Sequence, residues 1–169
     1  KLNLNEEIYI DYADKEGNVW FSSGNKIFKF DGDEFSLIQT NDPKFPSINN
    51  VYSIEIDSKS QAYMTTYESS SGIGGKTISN GQNLIVFKEN EFKTYKQNKY
   101  LSDVVIDSKD YVFVAAQESI AKFNGSGFVY ESVPVKDSIY VTSEVAKSKI
   151  SDLMLDRDGN IWFTENYHL

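Results

Sequence analysis

The stretch Leu153-Met-Leu-Asp-Arg-Asp-Gly-Asn-Ile-Trp-Phe163 decides the fold class of this chain. An apolar run ends at Asp156, a Gly-Asn pair follows, and the aromatic Trp162 stands six residues after the aspartate. Apolar and aromatic residues on both sides of an Asp/Gly/Asn cluster are typical of two strands joined by a turn. The stretch therefore predicts a strand, a turn and a second strand.

The same pattern occurs four times along the chain. The aspartates are separated by 43, 50 and 49 residues, and an aromatic residue follows each of them by six positions. The aspartates are Asp14, Asp57, Asp107 and Asp156, and the aromatic residues are Trp20, Tyr63, Phe113 and Trp162. A repeat of this length predicts one supersecondary unit per copy. We expect the aspartates to occupy one turn position and the aromatic residues to pack between neighbouring units.

A second half follows in the first three copies, where two phenylalanines five residues apart flank a short polar turn. The pairs are Phe30 and Phe35, Phe87 and Phe92, and Phe123 and Phe128. Each copy thus predicts four short strands, which we call a to d. A four-stranded repeat of about 40–50 residues is typical of a β-propeller blade. A β-sandwich is the alternative, but it gives no reason for the repeated spacing.

We therefore predict an all-β chain that forms a single β-propeller segment of four-stranded antiparallel blades. The predicted blades cover about residues 1–42, 43–97, 98–147 and 148–169, and the last is partial. Since a closed propeller has about four to eight blades, we expect an incomplete segment of about three and a half. Its open edge would pair with the remaining blades or with another copy of the chain.

Two connections are longer than their counterparts in the other copies. Tyr67–Asn83, rich in Ser and Gly, separates strands b and c of the second blade, and Ser132–Lys149 joins the third blade to the fourth. Both are expected on the same face, where long connections of a repeat array often bind ligands. The candidate ligand contacts are the unrepeated aromatic residues of this face and one lysine: Tyr67, Lys76, Tyr130 and Tyr140.

Composition excludes several functions. The 169 residues carry a net charge of −8, which disfavours a nucleic-acid groove, and no apolar run approaches the ~20 residues of a membrane span. With no Cys and a single histidine, His168, the chain has no disulfide and no set of Cys or His ligands for zinc. We predict no catalytic residue, no metal and no cofactor.

Two motif-like runs do not change that prediction. The run Ser70–Thr77 ends like a phosphate-binding loop, but it lacks the first glycine and a following helix, so we expect a polar insertion. The turns at Asp14 and Asp156 lack the glycine and glutamate of a calcium loop.

The runs Asp14–Ser22 and Asp156–Thr164 resemble the two-component regulator propeller repeat. That resemblance implies the sensor region of a bacterial hybrid histidine kinase, in the periplasm or outside the cell, which binds a small molecule or oligosaccharide. The run Asp158–Glu165 is also similar to the repeat of streptogramin lyase, an enzyme whose activity requires a histidine and acidic residues around magnesium. A third alternative is a generic protein-interaction propeller.

Overall fold

A computed structural model of the chain describes residues 8–23, 26–38, 50–71, 77–89, 91–117, 119–132 and 149–166. The described residues form strands and turns and no helix, which confirms the all-β prediction. The strands are β1 (Ile8–Ala13), β2 (Val19–Ser23), β3 (Lys26–Phe30), β4 (Phe35–Ile38), β5 (Asn50–Ile56), β6 (Ala62–Ser71), β7 (Thr77–Lys88), β8 (Glu91–Gln97), β9 (Leu101–Ile106), β10 (Val112–Ala116), β11 (Ser119–Phe123), β12 (Phe128–Ser132), β13 (Lys149–Leu155) and β14 (Ile161–Asn166).

The strands form four antiparallel sheets in chain order, one for each sequence repeat. The first three sheets have four strands each, β1 to β4, β5 to β8 and β9 to β12, and the fourth consists of β13 and β14. Within each sheet, every strand pairs with the next strand in sequence, as is typical of antiparallel strands joined by direct turns. The repeat pattern therefore predicted the strand order correctly.

The paired phenylalanines mark the turn between strands c and d. Phe30 and Phe35 are opposite each other across β3 and β4, and their rings stack with centroids 4.5 Å apart. Between them, Asp31 Oδ1 accepts the backbone N–H groups of Asp33 and Glu34 at 3.0 and 2.8 Å. A side chain that accepts the amides of a turn stabilises the reversal of the chain direction. The two phenylalanines therefore mark the last residue of strand c and the first residue of strand d.

The insertion Tyr67–Asn83 differs from the prediction of a polar loop. Strands β6 and β7 continue into it, and their register runs from Ala62 opposite Phe87 to Ser71 opposite Thr77. Serine and threonine are compatible with an antiparallel ladder when each backbone group finds a partner on the facing strand. The insertion is thus largely a long hairpin, with residues 72–76 outside the described part.

The sheets follow one another through their first strands. β1 contacts β5, β5 contacts β9 and β9 contacts β13. Hydrogen bonds also cross from sheet to sheet: Ser102 Oγ donates to the Ile150 carbonyl at 2.9 Å, and the Leu153 amide donates to Asp103 Oδ2 at 2.6 Å. This succession of sheets around common inner strands is the arrangement of a β-propeller.

Each seam between consecutive sheets has its own apolar core. We call the face of a sheet that meets the next sheet its forward face, and the opposite one its back face. In the first seam, Trp20 on the forward face of the first sheet packs with Ile54 and Met64 on the back face of the second. Tyr63 and Phe113 take the same position in the second and third seams.

The fourth repeated aromatic residue corrects the packing prediction. Trp20 is 5% exposed and Tyr63 7%, Phe113 is partly buried, but Trp162 is 59% exposed. Within the described residues, nothing packs against the forward face of the fourth sheet. The repeat therefore gives the position of the indole correctly but not its burial, which depends on a neighbouring sheet.

We predict that Trp20→Ala lowers the free energy of unfolding by about 3–5 kcal/mol, because the side chain fills the first seam. The matched control is Val129→Ala, since Val129 is exposed on β12; its cost is under about 1 kcal/mol. Urea denaturation followed by circular dichroism measures both. Equal losses in the two variants would show that Trp20 is not part of a core.

Candidate functional site

The repeated aspartates close the four a–b turns in the same way. In each turn the aspartate amide bonds the carbonyl of the residue four positions later, as from Asp14 to Asn18 at 2.9 Å. One carboxylate oxygen accepts the returning amide of that later residue, at 2.8 to 2.9 Å in all four copies. The prediction of one shared turn position is confirmed, because all four carboxylates close their turns in the same way.

The third residue after each aspartate adopts a left-handed backbone. Gly17 and Gly159 have φ of 84°, and the equivalent Ser60 and Asp110 have φ of 60° and 61°. Glycine adopts this conformation without steric cost, whereas serine and aspartate do so with strain. The second and third turns therefore keep the geometry of the motif although their sequences depart from it.

Two of the repeated aromatic residues, Trp20 and Trp162, also donate a hydrogen bond to the turn, which the repeat pattern did not predict. Trp20 Nε1 donates to Asp14 Oδ2 at 3.0 Å, and Trp162 Nε1 donates to Asp156 Oδ2 at 2.9 Å. Burial opposes the ionisation of Asp14, but the hydrogen bonds from Trp20 and Asn18 together hold its pKa below the ordinary value. The bond from Trp162 is the main cause that lowers the pKa of Asp156 to about 2.

A cleft of about 860 Å³ opens between the second and third sheets, on the face of the a–b and c–d turns. Its floor contains Tyr63 and Tyr95, and Tyr95 Oη donates to the Gly125 carbonyl at 2.8 Å across the seam. At its rim Lys122 Nζ lies 3.3 Å from the ring centroid of Tyr111. This cleft lies at the end of the seam away from the predicted ligand face.

The other end of the second seam carries a polar cluster around Tyr130. Tyr130 Oη donates to Gln97 Oε1, which links β12 of the third sheet to β8 of the second. Lys99 Nζ lies 4.1 Å from the ring centroid of Tyr130 and donates to Ser119 Oγ at 3.2 Å. Burial raises the pKa of Tyr130 above its ordinary value of 10.0, and its hydroxyl is a protonated donor at neutral pH.

The long hairpin reaches the same end of the seam. Gln82 is opposite Gln97 across β7 and β8 and opposite Tyr67 across β6 and β7. The Gln82 side chain is 6% exposed, and its Oε1 accepts no hydrogen bond. An unsatisfied buried polar atom costs about 1–3 kcal/mol and calls for a reason. We call Gln82, Gln97, Lys99, Ser119 and Tyr130 the insertion-end cluster.

The structure therefore brings two of the four predicted ligand contacts to one place. Tyr67, by its register, and Tyr130, by its hydrogen bond, are both neighbours of the Gln82–Gln97 pair. Lys76 and Tyr140 lie outside the described residues, as do His168 and most of Ser132–Lys149. Gln97 and Lys99 were not among the predicted contacts, because no repeat or motif marks them in the sequence.

A carboxyl group with an unusual pKa lies on the forward face of the second sheet. Burial, followed by the negative charge of Asp103, raises the pKa of Glu55 to about 8. The equivalent repeat positions hold Tyr12, Val105 and Met154, so a glutamate there breaks an uncharged pattern. An acidic residue at a repeat position that is otherwise uncharged was the sequence signal of this carboxyl group.

The described residues contain no group of three or more His, Cys, Asp or Glu side chains that could hold a metal ion. In the same part of the chain, no helix has the length and apolar character needed to cross a membrane.

Comparisons with known proteins relate the chain to propellers of several functions. No family model matches the sequence, and no curated protein matches it. A solved structure assigned as a gluconolactonase is similar with a TM-score of 0.61 at 12% identity over 89% of this chain and 55% of its own. A catalytically inactive virginiamycin B lyase from Staphylococcus aureus, with quinupristin, has a TM-score of 0.51 at 13% identity over 98% of this chain and 65% of its own.

A third similar structure is the extracellular domain of a protein assigned as a hybrid two component system from B. thetaiotaomicron. Its TM-score is 0.50 at 14% identity, over 97% of this chain and 26% of its own. The solved structures thus include both classes that the repeat resembles. At these identities the likeness shows the fold, a partial β-propeller, and the chain spans 55%, 65% and 26% of the three structures.

We predict that Trp20→Phe weakens the first turn while it keeps the bulk of the side chain, since Phe113 occupies the same position in the third sheet. The loss at pH 7 is about 1.5–3 kcal/mol, as for a hydrogen bond to a charged group. Because the bond lowers the folded-state pKa of Asp14, its contribution fades as pH falls below the ordinary aspartate value. Urea denaturation of both proteins at pH 7 and pH 3 tests this. A difference that does not shrink at pH 3 would contradict it.

We predict that the stability of the chain falls between about pH 5 and pH 8 through Glu55. The folded state binds this proton up to a pKa of about 8, against 4.5 for an ordinary glutamate, so rising pH favours the unfolded chain. Glu55→Gln removes that dependence and stabilises the protein at pH 9. Melting temperatures of both proteins at pH 5, 7 and 9 measure it. Parallel profiles would show that Glu55 titrates normally.

Proposed function

We propose that this chain is a non-catalytic, ligand-binding part of the sensor region of a bacterial two-component regulator, exposed to the periplasm or the cell exterior. Its ligand is a small molecule or an oligosaccharide. The observation that carries the proposal is the insertion-end cluster, where polar side chains from two sheets converge beside the long hairpin of the second sheet.

The cluster suits a hydroxyl-rich ligand. Lys99 carries an ammonium group with three donors, and Tyr130, which is 37% exposed, adds an aromatic ring and a hydroxyl. Beside them the buried carbonyl oxygen of Gln82 accepts no hydrogen bond. Binding sites commonly combine such a small set of converging polar groups with aromatic walls. Tyr67, Lys76 and Tyr140 are proposed to add contacts on the same face.

The sensor assignment is supported by the motif at Asp14–Ser22 and Asp156–Thr164 and by its turn geometry. The likeness to an extracellular domain of a two component system supports the fold part of the proposal. The gluconolactonase and the lyase have the same fold, so the assignment rests on the motif and the cluster. We also propose that the chain forms a single propeller segment, with blades at about residues 1–42, 43–97, 98–147 and 148–169.

A binding experiment tests the proposal. Calorimetric titration of the chain against a panel of soluble oligosaccharides identifies a ligand, and Lys99→Met and Tyr130→Ala are then compared with the unchanged protein. We expect each variant to bind about 10- to 100-fold more weakly, since each removes a hydrogen-bonding group of the cluster. Tyr111→Ala is the matched control, because Tyr111 is an exposed tyrosine at the opposite end of the same seam.

The Tyr111→Ala control distinguishes binding at the two ends of the seam between the second and third sheets. Weaker binding in Tyr111→Ala alone would place the ligand in the 860 Å³ cleft and contradict the proposed face. Opening of a cyclic lactone by the chain would contradict the non-catalytic assignment and favour the lyase alternative.

A further inference from the structure

The cleft between the second and third sheets lies where the second sheet departs from its neighbours. In the first sheet Lys29 is opposite Trp20 and places its Nζ 5.7 Å from a ring centroid of the indole. The third sheet has the same pair of a lysine and an aromatic residue, also 5.7 Å apart. In the second sheet Val86 is opposite Tyr63, and both line the cleft of about 860 Å³. The shorter side chain of valine leaves space at this end of the seam, in the range of about 300–1,000 Å³ that small-molecule sites have.

Cross-seam hydrogen bonds join the two walls of this cleft. Ser58, in the a–b turn of the second sheet, donates its amide and its hydroxyl to the Asp110 carboxylate of the third sheet at 2.9 and 2.6 Å. Tyr95 Oη donates to the Gly125 carbonyl at 2.8 Å. Asp110 has a left-handed backbone, with φ of 61°, where the first and fourth sheets have glycine. Strained residues of this kind cluster at binding sites, and here the strained residue closes one side of a preformed cleft.

Aromatic rings line both walls of the cleft. Tyr63 and Phe123 are buried at its base, and Tyr95 packs edge to face on Phe123 with ring centroids 4.6 Å apart. Tyr111 lies at the rim and is 46% exposed. Aromatic side chains that neighbouring rings hold in place present rigid, flat surfaces to a ligand. The cleft is therefore suited to a ligand that contains a six-membered ring.

The charges that line the cleft are partly matched already. The lining contains three lysines and three carboxylates: Lys88, Lys93, Lys122, Glu89, Glu91 and Asp110. Lys88 Nζ lies 3.7 Å from Glu89 Oε1 and forms an ion pair with it. The hydrogen bonds from Ser58 are the main cause that holds the pKa of Asp110 below its ordinary value, and lysines of the first two a–b turns lower it further. The charge of Asp110 is therefore matched by groups outside the cleft.

Two lysines remain without a carboxylate partner, one from each of the two sheets. Among the residues that the structure describes, neither Lys93 nor Lys122 forms an ion pair. Lys93 Nζ lies 5.1 Å from the ring centroid of Tyr95, and Lys122 Nζ lies 3.3 Å from that of Tyr111. These cation–π contacts orient each ammonium group, and its N–H donors stay able to bind an anion. The remaining carboxylate of the lining is Glu91, so two cations face one anion and the cleft favours a negatively charged ligand.

We propose that this cleft binds a small carboxylate that carries a six-membered ring. The ring lies between Tyr95 and Tyr111, and the carboxylate accepts hydrogen bonds from Lys93 and Lys122. Such charge-assisted hydrogen bonds are about twice as strong as neutral ones. The cleft and the insertion-end cluster are at opposite ends of the same seam, so the chain takes this ligand in addition to the hydroxyl-rich ligand of the proposed function.

Calorimetric titration of the chain with acids and their neutral amides tests the site. The acids are benzoate, with a flat ring, and cyclohexanecarboxylate, with a puckered ring, and their neutral counterparts are benzamide and cyclohexanecarboxamide. We expect at least one of the acids to bind with a Kd below about 1 mM, and its amide to bind at least about 10-fold more weakly. Raising the salt concentration from about 0.05 M to about 0.5 M weakens the binding of the acid, because mobile ions screen the lysines.

Three variants locate the binding in the cleft. The double variant Lys93→Met/Lys122→Met removes both ammonium groups, and we expect it to bind the acid at least about 10-fold more weakly. Tyr111→Ala removes one wall without a change of charge and also weakens binding. Lys29→Met is the matched control, because Lys29 lies over an aromatic ring in the first seam, outside the cleft; it keeps the affinity of the unchanged chain. Melting temperatures show that each variant is folded.

Failure of both acids to bind, equal affinity for an acid and its amide, or an equal loss of affinity in Lys29→Met would each overturn the proposal. Lys99→Met, at the other end of the seam, retains binding of the acid, and a loss in that variant would instead place the acid in the insertion-end cluster. Conversely, Lys93→Met/Lys122→Met retains binding of the hydroxyl-rich ligand. Failure at one site therefore leaves the proposal for the other standing.

Discussion

The structure depends on one carboxylate per sheet. Each repeated aspartate accepts the amides of its own a–b turn, so the reversal between the first two strands is fixed by a side chain rather than by loop length. In the first and fourth sheets the other carboxylate oxygen binds the indole of the following strand. The turn thus orients the aromatic residue that fills the seam, and local turn chemistry is connected directly to packing between sheets.

The third sheet shows what the hydrogen bond between the turn and the aromatic residue contributes. Phe113 has no donor for Asp107, and there the ring packs without a bond to the turn, with Lys122 Nζ 5.7 Å from its centroid. The turn of Asp107 still closes through its backbone amides. Packing and turn closure are therefore separable, and the indole bond adds orientation to a seam that apolar contact already holds.

The sequence predicted the fold because its signals are local and repeated. The spacing of Asp14 and Trp20 fixes a turn and two strands, and four copies fix the order of the sheets. The insertion-end cluster was predicted only in part, since Tyr130 is an unrepeated aromatic residue, whereas Gln97 and Lys99 come together with it only after two sheets pack. The burial of Trp162 was predicted wrongly for the same reason, because burial is a property of a neighbouring sheet and not of a motif.

The succession of sheets has a consequence for how the molecule loses its structure. The principal contacts between sheets join consecutive ones, so the stability of each sheet is its own contribution plus that of the seams on its two sides, as in other repeat proteins. The second and third sheets have two seams each, and the first and fourth have one within the described residues. Within the described residues, opening of the second or the third sheet breaks two seams, so the backbone amides of β6 and β10, in the middle of those sheets, are expected to exchange slowly with solvent. The insertion-end cluster lies in the seam between these two sheets, so its geometry depends on both of them staying closed.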